Sequence, residues 1–296
     1  MNAPAIDIID LSKFYGKARG IEHIDLEIGE GEIFGFIGPN GAGKSTTIRI
    51  LMNMIFPSGG SARIMGMDVI RDTKKIKKQV GYIPSDANAY SSMKVREFLN
   101  YCIRFYETQD GDQRITELSD LFELDLNRQI TDLSLGNRKK VSIVQSLLHR
   151  PRLLILDEPT TGLDPLMQSV FFELLRTENK KGMTIFLSSH ILSEVQMICK
   201  RVAIIKGGKI IQLEDIDNLR KKQLKKVSVE LGDHMNNETL TIHGAENVIK
   251  GPGNLLSFMY SGNINDLIDI LSGKQIINLI IEEPTLDEIF LHYYKN

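Results

Sequence analysis

The sequence has little cysteine, no marked excess of charge and no long apolar run, and each shortage closes off a class of protein. Its two cysteines are Cys102 and Cys199. Two are too few for a disulfide framework or a four-cysteine zinc site. Each sits in an apolar-periodic stretch, which reads as a buried, reduced thiol. The 36 basic and 38 acidic side chains leave a formal charge of −2, so the electrostatic footprint of a nucleic-acid-binding protein is missing. No nucleic-acid partner is expected. The longest apolar runs, such as Leu153 to Leu156, are strand-sized, far below the roughly 18 residues of a membrane span. Met1 to Asp7 lacks the basic-then-apolar pattern of a signal peptide. The expected location is therefore cytoplasmic. No internal repeat period is visible.

What is present is enough apolar material for a real core. With 42% hydrophobic and 25% charged residues in 296 positions, the chain reads as an ordinary globular protein of one large domain, or of one domain plus a smaller companion. Ile6 to Leu11, Ile21 to Ile28 and Ile33 to Ile37 read as strands. Ile48, Leu51, Met52 and Ile55 recur at helical spacing until Pro57 and Gly59-Gly60. Val95, Phe98, Leu99, Cys102 and Tyr106 mark one helix face, Ile115 to Leu124 a second helix, and Ile143 to Leu148 a third. Leu153 to Asp157 and Thr184 to Leu187 read as buried strands with a helix between them. Val202 to Ile205 and Lys209 to Leu213 form a hairpin around Gly207-Gly208. Beyond Asp215 the character changes. A basic run, Arg220 to Lys226, leads into short strands and a helix at Ile264 to Leu271. Residues 216–296 are expected to form a small α+β domain.

Gly38-Pro-Asn-Gly-Ala-Gly-Lys-Ser-Thr46 fits the pattern G-x-x-x-x-G-K-[ST], between a strand and a helix. Glycines let the backbone wrap a polyphosphate with N–H groups turned inward. The following helix adds its positive end. Gly38, Asn40, Gly41, Ala42, Gly43, Lys44, Ser45 and Thr46 are thus candidate nucleotide-binding residues. Lys44 is expected on the β- and γ-phosphates, and Ser45 on magnesium. Leu153-Leu-Ile-Leu-Asp157-Glu158-Pro159 is an apolar strand ending in two carboxylates. Asp157 is the candidate metal ligand, and Glu158, facing the γ-phosphate, is the natural general base.

The ordered set of motifs resembles the nucleotide-binding subunits of ATP-binding cassette (ABC) transporters, from about residue 5 to residue 215. That resemblance implies an α/β P-loop fold with a mixed core sheet, an antiparallel β subdomain and a helical subdomain at about residues 85–150. It also implies ATP and Mg2+ as ligands, and ATP hydrolysis coupled to transport. Tyr15 matches the family's adenine-stacking aromatic, and Leu133-Ser-Leu-Gly-Asn137 its signature motif. Thr161 to Pro165 matches its D-loop, and His190 its switch histidine. In the family, the signature motif of a second subunit completes each ATP site, here through Ser134 and Gly136. Arg138-Lys-Lys140 lies in the first helical turn, against the helix dipole; a triphosphate nearby would relieve that conflict. The implied partners are a second ABC ATPase subunit, as a homodimer, and an integral-membrane permease. The implied place is the inner face of the cell membrane.

The sequence departs from the family pattern at two points. Leu135 stands for a glycine and Asn137 for a glutamine. Ser85 and Asp86 stand where a glutamine usually links magnesium to the membrane-facing region; Ser85 would act through a water, or Asp86 would substitute. Glu282 to Phe290 resembles exporter-type subunits that serve ABC-2-like membrane proteins. The alternatives are a cassette working on ribosomes or DNA, and a non-hydrolysing ATP-binding module.

Overall fold

A computed structural model describes residues 3–85, 92–106, 108, 110–221, 225–232 and 242–284. Asp86, Lys222 to Leu224 of the basic run, and Thr285 to Phe290 of the tail motif lie outside the described residues. The chain divides into two compact units, Met1–Leu213 and Glu214–Asn296.

In the first unit, β1 (Ile6–Tyr15), β2 (Ala18–Ile28), β4 (Gly59–Ile64) and β5 (Met67–Asp68) form an antiparallel sheet ordered β2-β1-β4-β5. A second sheet holds β3 (Ile33–Ile37), β6 (Val80–Ile83), β7 (Leu153–Asp157), β8 (Thr184–Ser189), β9 (Arg201–Lys206) and β10 (Lys209–Asp215). Its order is β10-β9-β3-β8-β7-β6, and the pairs from β9 through β6 are parallel. Every residue of β3 and β7 is buried, as expected for strands covered on both faces. The helices are α1 (Lys44–Leu51), α2 (Thr73–Lys77), α3 (Val95–Ile103), α4 (Gly111–Leu121), α5 (Leu135–Leu147), α6 (Pro165–Lys180) and α7 (Leu192–Ile198). Phe34 and Phe36 of β3 pack on Phe186 of β8, the second pair with ring centroids 5.5 Å apart. Each fully buried aromatic contributes roughly 2 kcal/mol through lost water contact.

Several boundaries differ from the sequence reading, each for a local reason. The helix after the glycine-rich loop stops at Leu51, before Ile55. Asn53 takes a left-handed backbone, φ 49°, and the amides of Asn53 and Met54 bond back to Ile50 and Arg49. That closing pattern ends a helix whatever the apolar spacing beyond it. β1 and β2 run longer than their apolar patterns because register shifts carry the pairing past Asp10 and His23, both with positive φ. β4 and β5 carried no apolar alternation strong enough to be read. Cys199 is buried, whereas Cys102 is only half-buried.

The second unit holds α8 (Ile216–Lys221) and an antiparallel sheet of β11 (Lys225–Leu231), β12 (Ala245–Lys250), β13 (Leu255–Tyr260) and β14 (Ile276–Glu282), ordered β12-β13-β11-β14. Alternate residues Val227, Val229 and Leu231 of β11 are buried, and Leu267 and Leu271 of α9 (Ile264–Ser272) join them in one core.

Candidate functional site

β3, β8 and β7 lie side by side, with Ile37 paired to Ser189 and Asp157 paired to Ser188. Their carboxyl ends therefore bring Gly38, Glu158 and His190 to one edge of the sheet, where open α/β sheets carry their sites. From Gly38 the chain turns tightly. The Ala42 amide donates to Pro39 O at 3.1 Å, and the Gly208 amide donates to Ala42 O at 2.9 Å. Gly43 has φ 113°, and a Cβ there would stand 2.6 Å from Ile21 Cγ2, so both backbone and space require glycine. α1 begins at the next residue, with its unpaired amides facing the loop.

Lys44 is buried at that helix start. Its Nζ donates to Gly38 O at 2.7 Å and to Pro39 O at 3.3 Å, and lies 3.2 Å from Glu158 Oε1. The other carboxylate oxygen, Oε2, lies 3.3 Å from His190 Nδ1. Glu158 thus spans a cation and an imidazole. It does so from a left-handed backbone, φ 49°, which costs a non-glycine residue roughly 1 kcal/mol. Asp157 is buried beside it, and its Oδ1 accepts from Ser188 Oγ at 2.7 Å. Ser45 and Asp157 offer a hydroxyl and a carboxylate, an oxygen-only set that suits a hard divalent cation. Among the described residues, no three His, Cys, Asp or Glu side chains converge on a metal position.

A cleft of about 260 Å³ runs over the loop, lined by Asn40, Gly41, Ala42, Gly43, Lys44, Ser45 and Thr46, with Tyr15, Arg19, Gly20 and Glu158. Tyr15 is exposed at one end, with the Lys13 ammonium 5.4 Å from its ring centre. Gly38 joins the cleft through Lys44 and His190 through Glu158, whereas Asp157, bonded to Ser188, does not line it. Ser134 and Gly136 do not line it.

Ser134 caps α5, and its Oγ accepts from the Asn137 amide at 3.3 Å. A Cβ on Gly136 would stand 2.6 Å from Gly162 O, so this glycine is held by the D-loop. Leu135 is 60% exposed, which is why a leucine there displaces nothing buried. The run Arg138 to Lys140 is not a free cationic face. Arg138 donates to Leu133 O and Thr131 O, each at 3.1 Å. Lys139 is buried and donates to Pro84 O and Ser85 O, each at 2.9 Å. Ser85 is absent from the cleft wall.

The family described as ABC transporter is matched by residues 21–161. The bacitracin transport ATP-binding protein BcrA of Bacillus licheniformis is 32% identical over 97% of this chain and 96% of its own length. The chain belongs to the ATP-binding proteins of ABC transporters. The Nod factor export ATP-binding protein I of Rhizobium etli is 33% identical over 70% of this chain and 67% of its own. A solved structure described as the ATP binding subunit of an ABC transporter superposes with a TM-score of 0.70 at 30% identity, covering 74% of this chain and 93% of that one. The dimeric post-hydrolysis cassette MJ0796, bound to ADP and Pi, shares the fold, with a TM-score of 0.66 at 24% identity.

This ABC transporter subunit is therefore an ATP-binding, ATP-hydrolysing enzyme. Its structure also uses residues that motif reading passes over. Arg19 stands in the cleft wall, four residues after Tyr15, where its sequence position was a usable signal. Lys139 ties the start of α5 to the end of β6, and Glu194 bridges two of the strand-end turns. Nothing in the local sequence names the contacts of those two, because their partners are remote in the chain or lie across a turn.

Proposed function

We propose that this ABC ATPase drives export through a separate membrane-spanning subunit, with Mg-ATP enclosed between the phosphate loop of one copy and Ser134 and Gly136 of another. The observation that carries the reading is the chain of contacts Lys44–Glu158–His190 at three neighbouring strand ends. The exposed signature helix start, outside that cleft, supports completion of the site by a second copy.

In this reading the loop amides and the α1 terminus take the triphosphate. Lys44 exchanges Glu158 for the β- and γ-phosphate oxygens, and Glu158 is released to take a proton from the attacking water. His190 holds that water against the γ-phosphate. Tyr15 stacks on the adenine. Ser45 and Asp157 would hold Mg2+, which neutralises charge developing on the phosphates. Ser134 Oγ and the amides around Gly136 supply the second anion-receptive helix start. Hydrolysis yields ADP and phosphate and lets the pair reopen, which moves the attached membrane subunit.

Among the described residues no helix is long and apolar enough to cross a membrane. The proposed place is the inner face of the cell membrane, against a permease. The relatives' roles in bacitracin transport and Nod factor export support export as the direction. Residues 5–215 are taken as the cassette, and 216–296 as an accessory domain. The test is purification from solubilised membranes. Co-purification with a multi-span membrane protein, together with ATPase activity lost in Glu158→Gln, is the expected result. Association with ribosomes or DNA instead would overturn it.

A further inference from the structure

Glu194, in the first turn of α7, is 6% exposed, and both of its carboxylate oxygens are occupied. Oε1 accepts from Thr160 Oγ1 at 2.6 Å, and Oε2 accepts from Ser189 Oγ at 2.6 Å. Thr160 lies on the turn that leads out of β7 just past Glu158. Ser189 is the last residue of β8, directly before His190. The Ser189 hydroxyl oxygen also accepts from the Ile191 amide at 2.9 Å, on the far side of the histidine. The Ser189 carbonyl accepts from the Gly38 amide at 3.4 Å, at the mouth of the phosphate loop. One side chain is thus linked to the ends of β7 and β8 directly, and to the end of β3 through Ser189.

Two neutral hydroxyls are a spare set of partners for a buried carboxylate. Taking such a group out of water is costly, and an apolar side chain of similar size would pack there at lower cost. The contacts explain the placement in another way. Glu158 reaches Lys44 with one oxygen and His190 with the other, at 3.2 and 3.3 Å. Those distances hold only while the turn after β7 and the turn after β8 keep one separation. Glu194 ties the two turns on the buried side, behind the groups that face the cleft.

We propose that Glu194 is a positioning residue for hydrolysis, setting the separation of Glu158 and His190 through Thr160 and Ser189. The inference rests on the roles assigned to Glu158 and His190 above. It makes no demand on nucleotide binding, because none of the three residues lines the cleft.

The test uses the full chain and two variants of the tie: Thr160→Val, which removes the hydroxyl donor to Glu194, and Glu194→Gln, which exchanges one of the two accepting carboxylate oxygens for an amide NH2, with Thr160→Ser as the conservative control. ATP affinity is read by titration calorimetry, turnover by phosphate release, and folding by thermal melting. Thr160→Val and Glu194→Gln are expected to lower kcat by roughly 10- to 100-fold while the Kd for ATP stays within about twofold, since small misplacements of reacting groups cost rate rather than binding. Thr160→Ser, which keeps the hydroxyl, is expected to turn over at close to the wild-type rate. The double variant Thr160→Val/Glu194→Gln is expected to lose no more than the worse single, because both break the same tie. Wild-type kcat in a folded Thr160→Val protein would overturn the inference. So would losses that merely follow the melting temperature, with ATP affinity and kcat falling together. Absence of Lys44-dependent ATPase in the wild type is a different result, and it would overturn the proposed function itself.

Discussion

Two helix starts in the cassette carry the residues proposed to meet the triphosphate, and they are finished to very different degrees. At α1 the end is closed over. Lys44 is buried with three oxygen partners, and Gly43 leaves no room for any side chain. At α5 the end is open. Ser134 is exposed, its cap to Asn137 is 3.3 Å long, and Leu135 stands in solvent. A closed end of this kind is preorganised for a ligand held within one chain. The open end has the same polarity without the enclosure, which suits a ligand brought by another copy. The contrast teaches that the two halves are separable, so each can be broken without the other.

The largest effect is expected on the closed side, from Glu158→Gln. The amide still accepts from Lys44 but cannot take the proton of a water, so phosphate release falls by about 10³-fold or more while ATP stays bound. Lys44→Ala comes next. Loss of a charge-assisted contact to phosphate is expected to raise the ATP Kd by roughly 10- to 100-fold in titration calorimetry. Normal ATP affinity in that variant would remove the phosphate-loop assignment. On the open side, Gly136→Ala forces a Cβ against Gly162 O, 2.6 Å away. A fall in kcat of about tenfold with unchanged ATP affinity in dilute protein is expected, because the phosphate loop is untouched. An equal loss of ATP affinity would erase the distinction between the two sides.

These assignments were legible in the sequence to the extent that they are local. The loop from Gly38 to Thr46 and the strand end at Asp157-Glu158 each place their chemistry within a few consecutive residues. Pairing of β3, β8 and β7 then brings the two together, and an apolar run flanked by turns is enough to read each strand. The ties across the turns were not legible. Glu194 meets Thr160 across 34 positions, and Lys139 meets Ser85 across 54. No periodicity records such a pairing. The left-handed backbone at Glu158 was equally hidden, since glutamate has no preference for it. The partners of the basic run after Ser134 were hidden as well, since Arg138 and Lys139 donate to backbone carbonyls, which no sequence pattern records.

Smaller effects sharpen the comparison through stability. Ser134→Ala removes the α5 cap, worth about 1 kcal/mol, and is expected to lower the melting temperature by about 2–4 °C. At the other end of the same helix, His149 stacks on Tyr106 with ring centres 3.8 Å apart. Burial pushes its imidazole down to about 4. An unfolded chain takes up that proton near pH 6.5, before the folded one does. The stability this group contributes is therefore full above pH 6.5 and is lost as pH falls towards 4. His149→Phe is expected to flatten that part of the melting temperature against pH, and an unchanged slope would contradict the assignment.

The central claim is that each ATP site needs two copies of the chain. Sedimentation equilibrium of Glu158→Gln, with and without saturating Mg-ATP, tests it most directly. The account predicts monomer without nucleotide and a dimer holding two ATP with it. A protein that stays monomeric with ATP bound would contradict it.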